Sequence, residues 1–118
     1  MSSPVPIQRQ GATLIASVRS SLTDDELEQL GHDLVAEISD HRSKSILLDI
    51  GQLDVVDSFS GRQLQQIAVA ARLRGARMML VGLRPEAALA MVQLGLTLQS
   101  LETALDVDDG LARLQAKR

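Results

Sequence analysis

The alternation of strand-like and helix-like segments predicts an α/β fold whose β-sheet is mixed and mostly parallel. Two observations carry this prediction. Residues 45–50 and 76–81 are apolar without alternation, which is typical of strands that are covered on both faces. A helical pattern of apolar residues follows each of them. We expect a single domain over residues 1–118, with its core over residues 4–115 and with four to five strands packed against about four helices.

The first segments predict a pair of strands and then a long helix. Residues 5–9 fit a short edge strand, because the proline within them is tolerated only at an edge. Residues 12–18 fit a longer strand, and Gly11 between the two permits a tight hairpin turn. Thr23 and Glu26 have the spacing of a helix capping box. The helix that follows has one face formed by Leu27, Leu30, Leu34, Ile38 and His41.

Glycine and proline mark the ends of the later helices. The helix after the first central strand is predicted to close at Gly75, a residue type that favours helix C-caps. Pro85 stands where the first residue of a further helix belongs, and that helix is expected to run until Gly95.

The C-terminal part has a weaker pattern. A short strand is expected around residues 97–101, and Asp108 or Asp109 is expected to cap a last helix. With these two elements the predicted order is β-β-α-β-α-β-α-β-α.

The composition argues against several classes of function. The chain has no cysteine, which removes disulfides, thiolate metal sites and cysteine nucleophiles. A single aromatic residue and a net charge of -3 count against nucleic-acid binding by base stacking or by phosphate contacts. No apolar run is long enough to span a bilayer, and the N-terminal residues lack the pattern of a signal peptide. We therefore expect a cytoplasmic protein with neither membrane nor nucleic acid as a partner.

Residues that could carry catalysis are few. His32 and His41 are nine residues apart on one predicted helix, so they face opposite directions and cannot share a metal. Nucleophile-elbow and phosphate-loop motifs are absent. Asp49, Asp54 and Asp57 bracket the loop after a central strand, as in a phosphorylated receiver domain, but the acidic pair and the lysine of such a domain are missing. We expect no enzyme activity, cofactor or metal; a small α/β enzyme is the alternative.

The segment before the second helix contains the only aromatic residue of the chain. Phe59 lies between Ser58 and Ser60, directly after Asp57. Either Asp57 or Ser58 is suited to cap the helix that begins here. A large apolar side chain beside a helix start either anchors the helix in the core or contacts a partner protein.

The same segment resembles a known family. Residues 46–50, then Val56, Asp57 and Ser58, then a helix, resemble the STAS domain of anti-anti-sigma factors. Phe59 after this Asp-Ser pair is similar to the RsbS-type stressosome antagonists within that family. A strand-Gly-x-x-Pro turn and a C-terminal segment resemble the family as well, so the likeness extends over nearly the whole chain.

This resemblance implies a protein that is switched by phosphorylation. In the family, a serine or threonine directly after an aspartate at this helix start is phosphorylated by a partner kinase. The matching residue is Ser58, and Ser60 is a minor candidate. The expected partner-binding residues are Asp54, Asp57, Ser58 and Phe59. A helix N-terminus tolerates a phosphate, whereas the added negative charge would repel an acidic or apolar partner surface, so we expect altered docking and unaltered folding.

The resemblance also implies the partners. An RsbS-type protein is expected to form a large hetero-oligomeric assembly with STAS co-antagonists of the RsbR type. Unphosphorylated, it would sequester a switch serine/threonine kinase; phosphorylation of Ser58 would release that kinase to activate a stress or signalling pathway. Two alternatives stay open: a simple anti-anti-sigma factor that binds an anti-sigma kinase, whose pattern Ser60 and Gly61 partly restore, and a non-phosphorylated STAS subunit of a transport complex.

Overall fold

The computed structural model describes residues 5–19, 22–53, 56–95 and 101–116, and within them strands and helices alternate in the predicted order. The strands are β1 (Gln8–Gln10), β2 (Thr13–Arg19), β3 (Ser45–Gln52), β4 (Arg77–Val81) and β5 (Glu102–Ala104). The helices are α1 (Asp24–His41), α2 (Ser58–Leu73), α3 (Pro85–Gln93) and α4 (Val107–Ala116).

The described strands form one sheet with the order β1-β2-β3-β4-β5. β1 and β2 pair antiparallel through a turn in which Gly11 has a φ of 60°, a conformation that glycine adopts without steric cost. Every other neighbouring pair is parallel. The prediction of a mixed, mostly parallel sheet is therefore confirmed.

Helices cover both faces of the sheet, as the unbroken apolar strands require. On one face, α1, α2 and α3 bury the larger core, which includes Leu14, Leu34, Ile46, Leu64 and Met91. On the opposite face, α4 packs over a smaller cluster formed by Leu47, Met79, Val81, Ala104 and Leu114.

Two glycines let helices approach their neighbours closely. A Cβ atom on Gly31 of α1 would lie 2.9 Å from Cγ1 of Ile67, so this glycine brings α1 and α2 side by side. A Cβ atom on Gly110 of α4 would lie 2.9 Å from Cδ2 of Leu47, so Gly110 seats α4 on the sheet. Among the described helices, none has the length and apolar character needed to cross a membrane.

The predicted start of α1 is confirmed. The Thr23 hydroxyl accepts from the Glu26 backbone N–H at 3.1 Å, and the Glu26 carboxylate accepts from the Thr23 N–H at 2.9 Å, which is a complete capping box. Pro85 is the first residue of α3, as predicted. Gly75, which follows α2, has a φ of 83° and so lies outside the helix, as a helix-terminating glycine does.

Two predictions concern the C-terminal part, and the second needs correction. Residues 97–100 of the strand expected around residues 97–101 are outside the described part of the chain, and β5 follows them at Glu102–Ala104. Neither Asp108 nor Asp109 caps α4, because the carboxylate of Asp106 accepts from the Asp109 N–H at 2.8 Å. Asp109 instead accepts from the Leu105 N–H at 2.9 Å.

Candidate functional site

The connection between β3 and α2 places the candidate site at the carboxyl ends of the parallel strands, where α/β folds build their binding sites. Buried residues hold both sides of it: Leu53 is 7% exposed and Val56 is 3% exposed. The Leu53 N–H donates to the Ile50 carbonyl at 3.0 Å, which turns the chain as it leaves β3. Asp54, one of the predicted partner-binding residues, lies outside the described residues.

Asp57 is the residue that caps α2. Its carboxylate accepts from the Ser60 backbone N–H at 2.8 Å, and the Ser60 hydroxyl accepts from the Asp57 N–H at 3.0 Å. The two hydrogen bonds form a capping box with a serine in the position that glutamate often takes. The choice between Asp57 and Ser58 as N-cap, open at the level of sequence, is thus settled for Asp57.

The cap keeps Asp57 ionised. Its hydrogen bond from the Ser60 backbone N–H, and next the one involving the Ser60 hydroxyl, hold the pKa of the Asp57 carboxyl below its ordinary value. Asp57 is exposed, so this negative charge stands at the surface at neutral pH.

Ser58 is the first residue of α2 and is exposed. With the residues that the structure describes, its hydroxyl makes no hydrogen bond, in contrast to the Ser60 hydroxyl, which is engaged in the cap. Because the free backbone N–H groups of a helix lie in its first turn, a hydroxyl at this position is close to donors that stabilise an anion. Ser58 therefore has both access to solvent and a favourable place for a negative charge.

Phe59 follows on the outer side of the same turn and is half-buried. It is neither a core residue nor freely exposed, so part of its ring is available for contact with another molecule. The predicted residues Asp57, Ser58 and Phe59 thus lie together at the start of α2, and Ser60 completes the capping box there.

Two of the three acids that bracket this loop, Asp49 and Asp57, have structural roles. Asp49 is half-buried, and its carboxylate accepts from the Gly51 N–H at 2.9 Å. Over the described ranges, no group of three or more histidine, aspartate or glutamate side chains could hold a metal ion. Of the two histidines, His41 pairs with Glu37 at 3.3 Å on α1, and His32 borders the groove between α1 and α2.

Sequence reasoning missed how exposed the outer side of α2 is. Val69 is 44% exposed and Leu73 is 80% exposed, one helical turn apart. The signal is visible in retrospect, because Phe59, Arg62, Gln66, Val69 and Leu73 follow one another at spacings of three and four, which places them on one outward stripe. The stripe contains no carboxylate, since no Asp or Glu occurs between Ser58 and Leu73.

Known proteins share the sequence pattern and the fold of this chain. A model of the STAS domain matches residues 4–110. The RsbT co-antagonist protein RsbRA of Bacillus subtilis (strain 168) is 31% identical over 91 residues, which are 77% of this chain and 33% of the relative. The chain therefore spans about a third of the length of this curated relative.

Two solved structures are similar along almost their whole length. The first, Moorella thermoacetica RsbS S58E, has a TM-score of 0.88 and 30% identity, and covers 98% of this chain and 97% of its own. The second comes from work on the molecular architecture of the stressosome, "a signal integration and transduction hub", with a TM-score of 0.85 and 31% identity. It covers 95% of this chain and 97% of its own.

Proposed function

The chain belongs to the STAS domain family, and from this premise we propose that it is a cytoplasmic, phosphorylation-switched regulatory protein of a stressosome. In this proposal residues 1–118 act as one domain that binds other proteins and catalyses nothing. The observation that carries the proposal is the exposed Ser58 hydroxyl at the first position of α2, beside the ionised Asp57 and the half-buried Phe59.

Asp57 and Ser58 have different roles at the start of α2, and this difference supports the modification of Ser58. Asp57 caps the helix and Ser60 completes the capping box, so the fold does not need the Ser58 hydroxyl. A kinase can take that hydroxyl into its own site without breaking a hydrogen bond among the described residues. Ser60 is the weaker candidate, because a phosphate there would remove the hydroxyl proton that is donated to the Asp57 carbonyl at 3.3 Å, and it would place its charge beside the Asp57 carboxylate.

The phosphate would meet favourable neighbours within the helix. It adds about -1.5 to -2 charges at the end of α2 where the backbone N–H groups are free. Arg62, one turn further along, is exposed and lies at the i,i+4 spacing at which opposite charges attract. The phosphorylated domain should therefore keep its fold, and the effect of the charge should fall on whatever docks at this surface.

Docking at this surface would be strongly affected. Asp57 already makes it negative, and a phosphate would add charge directly beside Phe59. A bound partner that presents an acidic surface would then be repelled by like charge, and one that presents an apolar surface would have to strip water from the phosphate. A loss of about 2 to 3 kcal/mol corresponds to roughly 30- to 150-fold in affinity, which is sufficient for release.

The relatives support a proposal about the partners. RsbRA is named as an RsbT co-antagonist, and a second relative belongs to a stressosome. We propose that this chain assembles with RsbR-type co-antagonists, sequesters an RsbT-type serine/threonine kinase, and releases that kinase when Ser58 is phosphorylated. The Moorella thermoacetica relative was solved as an S58E variant, and a change of serine to glutamate imitates part of the charge of a phosphoserine.

The proposal is tested by incubating the chain with an RsbT-type kinase, ATP and Mg²⁺, and locating the phosphate by mass spectrometry. We expect one phosphate on Ser58 in the wild type and in Ser60→Ala, and none in Ser58→Ala. Kinase binding, measured by titration calorimetry, should persist for Ser58→Ala and weaken about 30-fold or more for Ser58→Asp.

Two results would contradict the proposal. The first is a phosphate on Ser60 in place of Ser58. The second is equal affinity of Ser58→Ala and Ser58→Asp for the kinase, which would favour a permanently docked STAS subunit, the alternative in which the same surface is never switched.

A further inference from the structure

The charges of the two neighbouring helices α1 and α2 are segregated. Seven acidic residues and no lysine or arginine lie between Asp24 and His41. Between Ser58 and Leu73 there are two arginines and no acidic residue, and a third arginine, Arg74, follows at the C-cap. The two helices lie side by side on one face of the sheet, so this face is acidic along one helix and basic along the next.

Part of the acidic charge of α1 is used within the helix. Glu26 completes the capping box, Asp33 accepts from Gln29 at 2.9 Å, and Glu37 pairs with His41. The remaining carboxylates are exposed and have no ion-pair partner among the described residues: Asp24, Asp25, Glu28 and Asp40.

The arginines of α2 are similarly uncommitted. Arg62 and Arg72 are exposed and form no ion pair with any residue that the structure describes. Although α1 and α2 are adjacent, the opposite charges do not pair across the groove between them. Each helix therefore presents unneutralised charge of one sign to solvent.

The charged residues of α1 and α2 lie at matching positions along the two helix axes. The Arg74 guanidinium donates to the Ser39 hydroxyl across the groove, so residues about 35 apart in number stand at the same level. Arg62 is then level with the turn that holds Glu28, and Arg72 is level with the turn before Asp40. Between these levels, the exposed Val69 and Leu73 of α2 bracket the height of the exposed Ala36 of α1.

We propose that this face, formed by α1 and α2, binds the same face of a second copy of the chain. A two-fold axis that runs along the groove between the helices would place α1 of each copy over α2 of the other, because α1 and α2 run in the same direction. Glu28 and Asp40 of one copy would then face Arg62 and Arg72 of the other, twice over. Val69 and Leu73 would be covered beside Ala36, a small side chain that leaves room for them.

The charges also select this arrangement against its alternative. A two-fold axis perpendicular to the groove would place α1 on α1 and α2 on α2, which brings like charges together. Between the helices there is a groove of about 370 Å³, bordered by residues that include His32, Val35, Gln66 and Ala70, which can receive side chains of the second copy. The inference concerns assembly alone and does not rest on the phosphorylation of Ser58.

The test is a charge exchange, read out as molecular mass by analytical ultracentrifugation. The wild type should dimerise at about 50 mM NaCl, and its dissociation constant should rise about tenfold or more at about 500 mM NaCl, where salt screens the pairs. Arg62→Glu combined with Arg72→Glu should be monomeric, and so should Glu28→Lys combined with Asp40→Lys. An equimolar mixture of these two variants should restore a dimer, because in the mixed pair both contacts between α1 and α2 are again of opposite sign.

A matched control removes the effect of net charge. Arg9→Glu combined with Arg19→Glu changes the charge by the same amount on exposed positions of β1 and β2 and should leave the dimer intact. Circular dichroism checks folding; if a reversal variant unfolds, Arg62→Gln combined with Arg72→Gln takes its place and should weaken the dimer. A monomeric wild type at low salt, dimeric reversal variants, or a mixture that stays monomeric would each overturn the proposal.

Discussion

The helices α1 and α2 begin with the same capping motif and differ in the charge of their first turn. Both starts are capping boxes, Thr23 with Glu26 in α1 and Asp57 with Ser60 in α2. The first turn of α1 is filled with acids at its first three positions, which already complement the positive end of the helix dipole. The first turn of α2 has no acid after its cap, and Ser58 occupies the position that Asp24 has in α1.

This difference shows what a phosphate on Ser58 would do locally. It would give α2 the acidic first position that α1 has permanently. A helix start that is complete without modification is structural, whereas one that lacks only an anion at its first position is suited to a reversible modification. The comparison can be tested at the cap, at the first position and through pH.

The largest expected effect is the loss of either cap. Thr23→Ala and Asp57→Ala should each lower the free energy of unfolding by about 1 kcal/mol, and up to about 2 kcal/mol, because backbone N–H groups of the first turn lose their acceptor. Urea denaturation measures both values. Thr23→Ser and Asp57→Asn keep an acceptor and should stay within a few tenths of a kcal/mol of the wild type. If Asp57→Asn cost as much as Asp57→Ala, the capping role of the carboxylate oxygen would be wrong.

A smaller effect is expected when the first positions are exchanged. Ser58→Asp should raise the free energy of unfolding by about 0.3 to 1 kcal/mol at low ionic strength, and Asp24→Ser should lower it by a similar amount, since each change acts on the helix dipole. Thermal unfolding at low and at high salt provides the measurement. Salt should reduce both differences, and a destabilising Ser58→Asp would show that α2 does not accept an anion at its start.

The smallest effect concerns pH. The pKa of Asp57 is lowered in the folded protein, chiefly by the hydrogen bond from the Ser60 N–H, so its unfolded-state pKa is the higher of the two. The stabilisation from Asp57 is therefore complete above the unfolded value near 3.8 and is lost as the pH falls through the lower folded value. Unfolding followed between neutral and strongly acidic pH should show a shallower acid dependence for Asp57→Asn than for the wild type.

Local patterns were sufficient for most of the fold. The capping box at Thr23, the proline at the start of α3 and the unbroken strands β3 and β4 carry their signals within a few residues, and each is confirmed. β5 is different, because it is three residues long and is defined by its partner. Its position follows from pairing with β4 and from the bonds of the Gly82 N–H to the carbonyls of Ala104 and Leu105. Such long-range contacts leave no periodic trace in the sequence.

The sequence was sufficient to predict which residues form the candidate site, but not which role each of them has. Sequence placed Asp57, Ser58 and Phe59 at a helix start, but either Asp57 or Ser58 could have been the cap, because both residue types accept hydrogen bonds there. Buried Val56 sets the position at which the chain enters α2, and this leaves the cap to Asp57. The sequence alone cannot show that the arginines of α2 lie beside an acidic helix, because that placement depends on the packing of α1 against α2.

The close packing of α4 on the sheet at Gly110 affects how the protein unfolds locally. Within the described part of the chain, α4 is the helix that shields Leu47, Met79 and Val81 from water, and its backbone rests against Leu47 at Gly110. On the other face α1 and α2 pack against each other at Gly31 and Ile67, whereas within the described part of the chain α4 packs on the sheet alone. Transient detachment of α4 would therefore uncover a strip of aliphatic surface while the rest of the fold stays closed, and such partly open states are the ones from which aggregation starts and on which proteases act.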